Sequence, residues 1–190
     1  MRILIVYGTS EGQTEKVARY LADRFSHGGH EVTLIDARSL PADLDMEGQD
    51  LTIVAARVHA GSYPRAIESF VRSERNRLQD MPSAFISVSM AAAGHRPGDL
   101  ERAEDYVERF IAKTGWTPTF VHHAAGARLY AHHGPLTRWI LGMIDGNRYD
   151  TARDHEFTDW AKLRAFANDV LAGSVPGGRL GSGPDVRAGA

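Results

Sequence analysis

The 190-residue chain contains no cysteine. That absence excludes a disulfide framework, a zinc–thiolate site, an iron–sulfur cluster and a thiol nucleophile, so redox chemistry must be borrowed from a non-thiol cofactor. An excess of one charge is lacking too: 22 Lys and Arg stand against 24 Asp and Glu, a formal net charge of -2. No global field draws such a chain to nucleic acid, and none is expected as a partner. Long apolar runs are also missing. No stretch reaches the roughly eighteen uninterrupted apolar residues of a membrane-spanning helix, and the opening run from Arg2 to Tyr7 is too short for a signal segment. A cytoplasmic location is the expectation.

What is present is ordinary globular material, 43% hydrophobic and 24% charged, long enough for one sizeable core. Short, apolar, β-branched runs predict strands at Arg2 to Tyr7, Glu31 to Asp36, Leu51 to Ala56, Ser83 to Ser89 and Thr117 to Ala125. Helical spacing of apolar residues predicts a first helix through Val17, Leu21 and Phe25 that stops at Gly28-Gly29. Further helices are predicted from Pro64 to Arg77, Asp99 to Lys113 and Asp159 to Leu171. Strands alternating with helices make the fold class α/β, a doubly wound five-stranded parallel sheet with helices on both faces. One domain over residues 1–172 is expected. A long insert at about 128–156 precedes the last helix, and the Gly- and Pro-rich tail 173–190 reads as disordered.

In an open parallel sheet, ligands bind beyond the carboxyl ends of the strands. The first such loop is Thr9-Ser10-Glu11-Gly12-Gln13-Thr14. Its hydroxyls and the amino end of the following helix suit a phosphate dianion, although Thr9 and Ser10 would serve equally as plain helix caps. A nucleoside-triphosphate loop needs Gly-Lys-Ser/Thr, and no lysine follows Gly12. A dinucleotide fingerprint needs G-x-G-x-x-G, which Gly8 and Gly12 do not supply, so Asp36 is read as a strand-terminating residue.

The loop resembles the flavodoxin-type FMN loop, Thr/Ser-x-Thr-x-Gly-x-Thr. Together with Gly61-x-Tyr63, Met81-Pro82-Ser83-Ala84-Phe85, Gly126-Ala127-Arg128-Leu129-Tyr130 and Phe157-Thr158-Asp159-Trp160, the chain resembles the flavodoxin-domain, menaquinone-dependent protoporphyrinogen dehydrogenases of bacteria over residues 2–171. The resemblance implies a flavodoxin-like fold, FMN as cofactor, and oxidation of protoporphyrinogen IX to protoporphyrin IX in haem biosynthesis, with a quinone as electron acceptor. It implies that Thr9 to Thr14 hold the phosphate. The flavin ring would lie between Arg57-Val58-His59-Ala60-Gly61-Ser62-Tyr63 and Ser89-Met90-Ala91-Ala92-Ala93-Gly94. No protein nucleophile or metal is needed, because the flavin carries the chemistry.

Charge refines this reading. No Asp or Glu lies in 55–65 or 87–98, whereas Arg57, His59, Arg65, His95 and Arg96 do. A positive rim favours anionic reduced flavin and raises the potential, which suits a two-electron oxidant better than a low-potential carrier. Arg96, Arg128 and Arg138 are candidates to meet porphyrin propionates. Within the insert, Pro135 to Asp145 reads as a short helix with Leu136, Trp139, Ile140, Met143 and Ile144 on one face. That face, with Trp139, is a candidate surface for substrate or for weak peripheral contact with the inner membrane, tempered by Asp145, Asp150 and Asp154. His122-His123 and His132-His133 are not expected to bind metal, since neighbours on a strand point to opposite sides. Two rival functions stay open on the sequence: an electron-transfer flavodoxin, and a nicotinamide-driven FMN quinone reductase.

Overall fold

The computed structural model describes residues 1–9, 12–128, 155–156 and 158–174. Five parallel strands form one sheet: β1 (Arg2–Gly8), β2 (Glu31–Asp36), β3 (Leu51–Arg57), β4 (Ser83–Ser89) and β5 (Phe120–Ala125), in the order β2-β1-β3-β4-β5. The order reverses between β1 and β3, whose registers pair Gly8 with Ala56 at the carboxyl end. A doubly wound sheet binds its ligand at that reversal.

Alternation along β1 divides the interior. Ile3, Ile5 and Tyr7 point to the face covered by α1 (Gln13–His27) and α5 (Trp160–Ser174), where Val17, Leu21, Phe25, Leu163, Ala167 and Val170 meet them. Leu4 and Val6 point to the other face, under α2 (Arg65–Ser73), α3 (Arg75–Asp80) and α4 (Asp99–Thr114), packed by Ile67, Phe70, Leu78 and Phe110. Because a strand's side chains alternate, both faces of a central strand must be apolar, which is why β1, β3 and β4 read as continuous hydrophobic runs. A short ribbon, β6 (Ala127–Arg128) against β7 (His155–Glu156), closes the base of the insert.

Three boundaries differ from the sequence expectations. The single helix expected over Pro64 to Arg77 is two, parted at Glu74, whose φ -98° and ψ 10° leave the helical range, just after the Ser73 hydroxyl donates back to the Phe70 carbonyl. The fifth strand starts at Phe120 rather than Thr117: Pro118 cannot donate to a ladder, and Thr117 and Thr119 spend themselves on Gln79 and Ser83 instead. The last helix runs through Gly173 and Ser174, which the expected tail had claimed. Ser10, Glu11, the Pro135 to Asp145 helix with Arg138 and Trp139, and residues 175–190 lie outside the described residues.

Candidate functional site

At the end of β1 the chain must turn sharply into α1. Gly12 takes the left-handed conformation, φ 84°, and its amide donates to the Thr9 hydroxyl at 2.9 Å, so Thr9 shapes the loop from within. Gly8, just before, is required by packing, since a Cβ there would stand 2.5 Å from Ile67 Cγ1. Behind the turn, Thr14 is fully buried and its hydroxyl meets no hydrogen-bond partner among the described residues. A buried hydroxyl without a partner is costly. Its place, in the first turn of a 15-residue helix at the sheet's switch point, makes it a ready donor to an anion.

The Gln13 side chain is held from far along the chain. It is 2% exposed, and its amide Nε2 donates to the Thr158 hydroxyl at 2.8 Å, which itself donates to the Ala125 carbonyl at 2.8 Å. Gln13 therefore ties α1 to the start of α5 and the end of β5.

The second loop continues β3, with the Val58 amide donating to the Val88 carbonyl at 2.8 Å. His59 and Ser62 exchange both backbone hydrogen bonds, at 2.9 and 3.0 Å, around Ala60 (φ 47°) and Gly61 (φ 79°). Two successive positive φ values make this a tight type I′ turn, held out from the sheet with residues 59–62 exposed. Tyr63, expected at the ring, follows directly after the turn. Its side chain is buried, hydrogen-bonded to the Ser87 hydroxyl at 2.7 Å and packed edge-on to Phe85 and Phe110. Burial pushes its phenol well above its ordinary pKa. Tyr63 thus anchors the loop's base to the core.

The third loop begins at Ser89, whose hydroxyl accepts from the Ala92 amide at 3.1 Å and whose carbonyl accepts from Gly126 at 3.0 Å. Ala91–Ala93 form one 3₁₀ turn, closed by Gly94 at φ 65°. Beyond it, Asp99 accepts from the Arg96 amide at 2.9 Å and pairs with Arg102 at 3.0 Å. This acid, one residue outside the acid-free stretch, caps the loop from below. Arg57 is half-buried at the end of β3, while His59, Arg65, His95 and Arg96 are exposed on segments that follow the carboxyl ends of β3 and β4. Asp36 holds Arg38 at 2.6 Å, and that guanidinium keeps its carboxyl below the usual range.

Beside the third loop, a groove of about 230 Å³ opens between Ala92 and Ala93, the end of β5, and the first turn of α5. His122 stacks on Phe166, ring centroids 4.8 Å apart, and burial pulls its pKa down to about 4. His123 lines the same groove with its Nδ1 buried and without a partner among the described residues. No helix among the described residues is long and apolar enough to cross a membrane. Sequence reasoning missed the Gln13–Thr158–Ala125 chain and the buried Trp116, whose indole donates to Ser83 at 3.2 Å. Phe157-Thr158-Asp159-Trp160 carried part of the family resemblance, but nothing in it pointed to Gln13 as a partner.

The doubly wound sheet, the glycine turn into α1 at its switch point, a buried Thr14 hydroxyl without a partner among the described residues and two flanking loops are those of an FMN-binding, flavodoxin-like redox protein. Consistent with this, the flavodoxin domain model matches residues 4–154, and the chain belongs to that family. It is similar, at 28% identity over 174 residues, to Protoporphyrinogen IX dehydrogenase [quinone] of Escherichia coli K12, with 90% of this chain and 94% of that protein covered. A protein of the same name from Leishmania major is also 28% identical, over 180 residues, with 90% and 75% covered. In fold the chain is similar to a short-chain flavodoxin associated with a non-canonical PDU bacterial microcompartment (TM-score 0.54, 16% identity, 92% and 99% covered). A cysteine-to-serine mutant of flavodoxin from Pseudomonas aeruginosa is similar to nearly the same degree (TM-score 0.53, 16% identity, 90% and 99% covered).

Proposed function

We propose that this protein oxidises protoporphyrinogen IX to protoporphyrin IX and passes the electrons to a quinone. The observation that carries this reading is similarity along nearly the whole chain to proteins of that name from two distant organisms, each at 28% identity. The acid-poor rim supports it, because cations at the flavin favour the reduced anion.

When bound, FMN would supply the two-electron chemistry needed between porphyrinogen and quinone, with three two-electron oxidations required per tetrapyrrole. The chain's own work is binding and orientation. The Thr14 hydroxyl and the amino end of α1 take the phosphate. The exposed I′ turn at 59–62 and the backbone of Ser89 to Gly94 flank the ring, where small residues let main-chain groups approach. Arg96, with Arg128 and Arg138, meets the propionates. The apolar residues Leu136, Trp139, Ile140, Met143 and Ile144, which lie outside the described residues, would serve as the contact for porphyrin, quinone or the inner membrane leaflet. The proposed unit is residues 1–172, working in the cytoplasm.

Steady-state turnover of the FMN-loaded protein tests this, with protoporphyrinogen IX compared with NADPH as donor and menadione as acceptor. Turnover with protoporphyrinogen and little with NADPH is the expected result. The reverse would make the protein a nicotinamide-driven quinone reductase. Reduction only through a protein partner would make it an electron carrier.

A further inference from the structure

The Thr158 hydroxyl joins three segments that are far apart in sequence. Its proton goes to the Ala125 carbonyl at 2.8 Å, so its oxygen is left to accept, and the partner at 2.8 Å must be the NH₂ end of the Gln13 amide. The orientation of that amide is thereby determined by the network. Both residues are buried, Gln13 at 2% and Thr158 at 9% exposure, so the bonds are shielded from water. Gln13 is the first residue of α1, between the left-handed Gly12 and the Thr14 hydroxyl, which has no partner among the described residues. Ala125 ends β5, and the next residue, Gly126, donates to the carbonyl of Ser89 at the base of the third loop.

The phosphate cradle thus has two anchors. On the loop side Thr9 holds Gly12; on the helix side Gln13 is held by a residue 145 positions away. An unfilled anion site at a helix start has little of its own to fix it, because its amides have no carbonyl ahead of them in the helix. We propose that Thr158 is a positioning residue for the FMN phosphate: through Gln13 it fixes the first turn of α1, so that the Thr14 hydroxyl is aimed before the cofactor arrives. Preorganisation of this kind raises affinity by lowering the ordering cost of binding. The inference stands on cofactor binding and is independent of which substrate is oxidised.

The test is a pair of titrations on the flavin-free full chain, one with FMN and one with riboflavin, which shares the ring but lacks the phosphate. Thr158→Val keeps the shape and removes the hydroxyl. The expected result is about a tenfold weaker hold on FMN with riboflavin affinity unchanged, and recovery of FMN affinity in Thr158→Ser. Equal weakening toward both flavins would mean that Thr158 merely supports the fold, and unchanged FMN affinity would mean that the anchor is idle; either overturns the proposal. Should Thr158→Val fail to fold, Gln13→Met removes the donor from the other end of the same bond. It must show the same phosphate-selective loss, and its absence likewise overturns the proposal.

Discussion

Thr14 is the residue at which stability and function pull apart. Its buried hydroxyl has no partner among the described residues, a state that costs about 1–3 kcal/mol, and in the proposed role a bound anion that accepts its proton would recover that cost. Thr14→Val should therefore leave the flavin-free protein as stable as before or slightly more so, while FMN binding weakens roughly 10- to 100-fold. Thermal denaturation of the apo form and a flavin titration read the two effects separately. His122 carries a second residue-scale consequence. Its imidazole, stacked on Phe166, has its pKa lowered from 6.5 to about 4 by burial, and His123 is lowered in the same direction. Between those two pH values the unfolded chain binds more protons than the folded one, so stability falls as pH falls through that window. The melting temperature should drop on acidification from pH 6.5 to 4, and His122→Phe, which keeps the stacking and loses the proton site, should drop less.

Among the elements, the turn at 59–62 shows most directly how sequence and geometry can disagree. A type I′ turn wants glycine or asparagine at both central positions, and here the first is Ala60 at φ 47°. A left-handed alanine costs about 1 kcal/mol, and strain held at an exposed loop beside a ligand site is commonly part of the site's design. Ala60→Gly should stabilise the protein by up to about 1 kcal/mol, whereas Gly61→Ala should destabilise it by a similar amount. Urea unfolding measures both. A Cβ on Gly61 would meet nothing within 4 Å among the described residues, so the cost there is conformational and not steric.

For the molecule as a whole, the quantity that separates an oxidant from a carrier is the potential of its flavin, and this is a sum over charges from several loops. Arg57 comes from the end of β3, His59 from the turn, and His95 and Arg96 from beyond the 3₁₀ turn, while Asp99 pulls back beneath Arg96. Arg57→Ala and His59→Ala should each lower the FMN midpoint, on the order of 10–30 mV for a two-electron couple partly screened by solvent. Spectroelectrochemical titration checks this. A stable neutral semiquinone with a very low second potential in the unmodified protein would point to electron carriage instead.

Local patterning determined the sheet. The apolar strands, the spacing of Val17, Leu21 and Phe25, and glycines where helices end are short-range signals, and β2 and β4 were legible to the residue because their ends are set by turn chemistry. The turn from β1 into α1 was legible for the same reason: Thr9, Gly12 and Gln13 are neighbours in sequence. Tertiary structure alone decided which way side chains at the rim point. Tyr63 was expected at the ring but turns into a pocket made by Phe85, Ser87 and Phe110. The side chain of Gln13, in the expected phosphate loop, is held by Thr158, 145 residues away. Packing across the sheet and hydrogen bonds between chain segments carry no local pattern, because each partner's choice depends on where the whole chain has already placed the other.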